Sequence, residues 1–112
     1  MKIFDPSTMF KGWYIGDFEP SAYRTKEFEV AIMTHKEGEH WDAHYHKKSE
    51  EINYLINGKM TINGTLLKAP TIFVIERGEI ADPTFITDCT LVVVKTPSAP
   101  GDKFIVQKET EK

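Results

Sequence analysis

GEHWDAHYHKKSEEINYLING, residues 38–58, carries three of the chain's four histidines, His40, His44 and His46, with His35 just upstream. A glutamate pair, Glu50 and Glu51, follows, and Asn57-Gly58 closes the stretch. On a β-strand alternate residues share a face. His40, Asp42, His44 and His46 therefore have one parity, and Trp41, Ala43 and Tyr45 the other. Histidines at i and i+2 have Cα atoms about 6.5–7 Å apart, so both rings can reach one ion at about 2.1 Å per bond. Lys47 to Glu50 have about the length of a hairpin loop, which would set Glu51 beside His46 on a neighbouring strand. Glu50 competes for that place. It shares a face with Ile52, Tyr54 and Ile56, whereas Glu51 shares one with Asn53, Leu55 and Asn57; the second face is the more polar and suits a cavity lining. The plain alternative is an edge strand whose histidines and glutamates face water.

Downstream, EINYLI, KMTI and TLLK are separated by Asn57-Gly58 and Asn63-Gly64. Asn-Gly between short apolar segments predicts type I′ hairpins, because both central positions need positive φ. Two in succession predict a three-stranded antiparallel meander. EFEVAIMTH (27–35), HWDAHYH (40–46), TIFVIE (71–76), FIT (85–87) and TLVVVKT (90–96) read as further strands, and FIV (104–106) as a short edge strand. KETEK (108–112) reads as a solvated tail. Near the N-terminus, Asp5 can cap, Pro6 suits a first helical position and Gly12 can end the segment, which predicts one short helical turn. GDFEPSAYRT (16–25) is irregular around Pro20. No apolar pattern holds a 3.6-residue period over three turns, so the fold class is all-β: a sandwich, jelly roll or small barrel.

With 112 residues the chain has material for one core, and 40% hydrophobic with 28% charged residues leaves no reason to expect disorder. We divide it as a single domain over 1–112, with an N-terminal packing segment (1–26), a barrel core (27–96) and a C-terminal segment (97–112). The net charge is −3, and Lys47-Lys48 is the only run of adjacent basic residues, which argues against a nucleic-acid surface. Cys89 is the single cysteine, so no internal disulfide is possible and a buried thiol in a reducing compartment is expected. Asp5 and Pro6 interrupt any signal-type apolar run, and no stretch approaches a membrane span. The expectation is a cytoplasmic protein without a membrane partner.

The stretch 38–58 resembles the first conserved motif of the cupin superfamily, G-x5-H-x-H-x(3,4)-E-x6-G. Gly38, His44, His46, Glu51 and Gly58 fill it, and the spacing to Gly58 selects Glu51 over Glu50. The Gly64–Lys95 region resembles the second motif, G-x5-P-x-G-x2-H-x3-N, with departures. Aligned on Gly78, Pro70 stands for the first glycine, Glu76 for the proline, Ala81 for the histidine and Phe85 for the asparagine. The resemblance covers roughly residues 30–96. It implies a small cupin-type β-barrel or jelly roll with its site inside, and a homodimer that packs or exchanges N-terminal strands. It also implies a metal bound by His44, His46 and Glu51. The fourth ligand of many cupins falls on Ala81, which cannot coordinate; His40 is the candidate to replace it.

Two histidines and one carboxylate suit one divalent transition metal, Fe, Mn, Ni or Zn. Such a centre supports a dioxygenase or an isomerase/epimerase acting on a small organic molecule. Candidate bases are His40, Asp42 and Glu76; the candidate substrate pocket is Asn53, Leu55, Ala81 and Phe85, with Trp41 or Tyr54 on an apolar approach. The competing function is a non-catalytic cupin that binds or senses a small ligand, with or without metal. Trp13, Tyr14 and Phe18 read as packing groups, Lys95 as an edge or snorkelling lysine, and PSAPGDKF (97–104) as a surface turn.

Overall fold

The side chain of Asp5 accepts a hydrogen bond from the Ser7 amide at 2.9 Å and caps a single 3-10 turn at Pro6–Thr8. A computed structural model describes residues 1–106, so the KETEK segment lies outside the described residues. The strands are β1 (Trp13–Gly16), β2 (Tyr23–Arg24), β3 (Glu29–His35), β4 (His44–Tyr45), β5 (Glu50–Asn57) and β6 (Lys59–Ile62). They continue as β7 (Thr65–Lys68), β8 (Thr71–Ile75), β9 (Pro83–Phe85), β10 (Cys89–Thr96) and β11 (Phe104–Ile105).

One layer is a six-stranded sheet in the order β2-β1-β3-β10-β5-β8, antiparallel except for β1 with β2. The other holds β7-β6-β9 and β11-β4. These two pieces are stitched where the amides and carbonyls of His44 and Ala81 exchange hydrogen bonds of 3.0 and 2.7 Å. Leu55, Ile75, Leu91 and Val93 from the first layer meet Met60, Ile62 and Phe85 from the second in one buried core. The result is an all-β jelly roll whose layers face each other without a continuous hydrogen-bonded closure. The strand pattern places this core: β3, β5 and β10 alternate buried and more exposed positions along their length, as strands between a core and an outer face must.

Several local expectations are corrected. Asn63-Gly64 does form the β6–β7 hairpin, with φ of 51° and 79°. Asn57-Gly58 does not continue a meander. Asn57 remains in β5 opposite Thr90, only Gly58 takes positive φ (99°), and the chain crosses there from one layer to the other. An Asn-Gly pair marks a turn but not which sheet the next strand joins. HWDAHYH shrinks to His44–Tyr45, with an isolated bridge at His40. His40 pairs with Thr84 and His44 with Ala81, so four steps on one side oppose three on the other. That extra residue breaks the common parity of His40 with His44.

β4 and β5 are not hairpin partners either; the loop between them arches across the layers. Asp102 pins it, accepting from the amides of Lys47, Lys48 and Ser49 at 3.0, 2.9 and 3.0 Å. Trp13–Gly16, read as packing segment, is a strand of the main sheet paired with β3.

Candidate functional site

A cavity of about 450 Å³ opens between the layers, within the size of small-molecule pockets. Inward positions of β3, β5 and β10 form one wall, and His44, His46, Ala81 and Phe85 stand on the other. His44 and His46 are buried, at 6% and 2% exposure, and their rings lie 5.5 Å apart at 82°. His44 Nδ1 lies 3.0 Å from the carbonyl oxygen of Asp42, which can only accept, so Nδ1 is the donor of this bond and Nε2 is the nitrogen left for another partner. Burial, reinforced by the Lys95 charge and opposed by Glu51, pushes the pKa of His46 down to about 4. It is a neutral imidazole at neutral pH, the form that binds metals.

Glu51 lines the same cavity and accepts from Asn53 Nδ2 at 3.1 Å. Glu50 does not line it. The donor set of two imidazoles and a carboxylate fits a divalent transition metal. Among the described residues, no three His, Cys, Asp or Glu side chains already close on one point at ligating distance. Ala81, opposite His44, puts a methyl group where the resemblance locates a fourth ligand.

The other sequence candidates divide. Asn53, Ala81, Phe85 and Trp41 line the cavity, whereas Leu55 is fully buried in the core behind it. Tyr54, offered for the approach, sits on the outer sheet face at 44% exposure. His40, Asp42 and Glu76 all lie outside the cavity and are exposed. His40 Nδ1 is 2.9 Å from Thr84 Oγ1 and its Nε2 is 3.7 Å from Asp82. The Asp42 carboxylate is not the group that touches His44; its backbone carbonyl is.

Several cavity residues are not singled out for the site by the sequence. His35 stacks on Phe85 (centroids 3.9 Å, 10°) and meets Trp41 edge-on at 5.1 Å, with Nδ1 hydrogen-bonded to Glu39. The same carboxylate accepts from Trp41 Nε1, and the bond from His35 holds Glu39 below the usual carboxylate range. Lys95 lines the cavity at 12% side-chain exposure, 3.6 Å from Glu29, and is no surface lysine. Trp13, read as packing, lines it too, and so does Lys103. Parity contained the signal for two of them: His35 continues Ala31-Met33 on β3, and Lys95 continues Leu91-Val93 on β10.

Two facing β-layers around a ligand-sized cavity define the double-stranded β-helix, or cupin, fold. Solved structures match it at that level. The chain is similar to a protein of Klebsiella pneumoniae with a double-stranded β-helix domain, with TM-score 0.67 and 22% identity over 75% of this chain and 74% of that one. It is also similar to the DMSP lyase DddQ of Ruegeria pomeroyi, with TM-score 0.68 and 15% identity over 88% of this chain and 53% of the lyase. A third similarity is to an acetylacetone dioxygenase of Acinetobacter johnsonii, with TM-score 0.56 and 20% identity over 63% and 52% of the two chains. The chain thus spans about half the length of either enzyme. In sequence alone, neither a family model nor a curated protein matches.

Proposed function

We propose that His44, His46 and Glu51 bind one divalent transition metal, and that the protein is an enzyme acting on a small organic molecule held in the same cavity. The observation that carries this reading is the burial of two imidazoles, His46 held neutral and His44 oriented through Nδ1, beside a carboxylate in a cavity of about 450 Å³. When bound, such a metal supplies Lewis acidity to a chelated oxygen or a place for O₂. The chain's own groups do the rest. Asn53 orients Glu51, and the Asp42 carbonyl orients His44. His35, tied to Glu39 through Nδ1, is the cavity side chain suited to hold and exchange a proton, in place of His40, Asp42 or Glu76. Phe73, Leu91 and Phe85 keep water from the apolar part of the wall.

The fold is shared with a lyase and a dioxygenase; it is compatible with a dioxygenase or an isomerase/epimerase reaction and does not choose between them. Ala81 and the open spacing of the donors favour a second reading, a cupin that binds or senses a ligand without turning it over. Metal content per chain, measured on protein without a histidine tag, decides. We expect near-stoichiometric iron, manganese, nickel or zinc in the native chain and its loss in both His44→Ala and Glu51→Ala. Native protein that takes up none of the four ions anaerobically would sink the metalloenzyme reading.

We further propose a homodimer built on the outer face of the six-stranded sheet. Ile52, Tyr54, Ile72 and Val74 stand 38–64% exposed there as adjoining apolar side chains of β5 and β8, the kind of surface that a second copy of the chain can cover. The lone buried thiol of Cys89 suits the cytoplasm. Among the described residues no helix is long and apolar enough to cross a membrane.

A further inference from the structure

Three lysines reach the cavity from three separate segments: Lys11 from the turn before β1, Lys95 from the end of β10 and Lys103 from the stretch before β11. Lys11 holds φ at 52°, a left-handed conformation that is unfavourable for any residue with a Cβ. Each ammonium lies over an aromatic ring: Lys103 at 4.3 Å from Trp41, Lys95 at 5.1 Å from Trp13 and Lys11 at 5.3 Å from Phe10. A ring steadies a cation without neutralising it.

The carboxylates nearby are already engaged. Glu39 is held by His35 and Trp41, Glu51 by Asn53, and Glu29 by Ser98 and Lys95. Among the described residues neither Lys11 nor Lys103 has a carboxylate within ion-pairing distance. Burial, and next the charge of Lys95, lowers the pKa of Lys103, with Lys11 adding to the effect and Glu51 opposing it. Glu29 offsets the charge of Lys95 and Glu51 part of that of Lys103; the repulsion left among the lysines in this partly closed cleft is relieved when an anion enters among them.

We propose that the cavity selects a small molecule bearing a carboxylate or phosphate group, received by Lys103 and Lys11 at the mouth with Lys95 behind them. The inference names the substrate class for the proposed function and rests on that reading only for what the rest of the molecule meets.

Both tryptophans of the chain line the cavity, so native fluorescence reports on it. Chelator-treated full-length protein is titrated with succinate, with inorganic phosphate and with succinamide, the neutral analogue of succinate. We expect a saturable change with at least one anion, the two arms showing which group is taken, and none with succinamide. Lys103→Gln and Lys11→Gln should each weaken binding about tenfold, while Lys103→Arg retains it. The proposal is overturned if succinamide binds as well as succinate, if neither anion saturates, or if both glutamine variants bind like the native chain. Metal content is assayed on untreated samples of the same preparations. Anion binding by a protein that takes up no metal upholds the lysine site and removes only the metal reading. Stoichiometric metal without an anion response does the reverse.

Discussion

One carboxylate, Asp102, sits beneath the arch from His46 to Glu50 with three amides pointing at it. Burial opposes its ionisation, but the amides of Lys48, Lys47 and Ser49 outweigh that and hold its pKa below the usual value. For a carboxylate depressed in the folded state, the stabilisation is fully present above the unfolded pKa and is lost as pH falls through the folded one. Asp102→Ala should therefore cost about 2–4 kcal/mol at pH 7, from the loss of bonds to a charged acceptor. Urea denaturation at pH 7 and again near pH 3 checks this. The gap between native and variant must shrink in acid, and a gap independent of pH would show that the carboxylate charge is not its source. Residues of the site differed in how openly they could be read. His44, His46 and Glu51 stand in a spaced motif. Asp102 was hidden because its partners are main-chain amides more than fifty residues earlier, which no side-chain pattern records.

At the level of elements, the two Asn-Gly turns look alike in sequence and differ in space. A Cβ on Gly64 would meet nothing, whereas one on Gly58 would strike the Asp88 carbonyl oxygen and come within 2.7 Å of Cys89 Sγ. Gly64→Ala should cost about 1 kcal/mol, the conformational penalty alone. Gly58→Ala should cost several times more, about 3–4 kcal/mol, since backbone must also move. Thermal or urea melts of the two variants compare them directly; equal losses would mean that the crossing at Gly58 is not tightly packed. The strands themselves were legible because alternation and turn residues are local signals. Sheet membership was not, since β6 pairs with β9 rather than β5. The bulge that turns His40 out of the cavity was equally silent, because it depends on register against residues 81–84.

For the whole molecule, the outer sheet face carries the prediction. Tyr54→Lys combined with Ile72→Asp should convert a dimer to a monomer in light scattering, with metal content unchanged, because both side chains point away from the cavity. A native chain that is monomeric at every accessible concentration would overturn the proposed interface. β10 has a different consequence. It lies between β3 and β5 in the middle of the larger sheet, and its β3 partners were made roughly sixty residues earlier. During synthesis, β3 and β5 emerge with their facing edges open and nothing to fill the space between them until Thr96 has been added. Completion of this sheet is thus a late event in the order of synthesis, and a chain that has not yet made Cys89 leaves two facing edges unpaired.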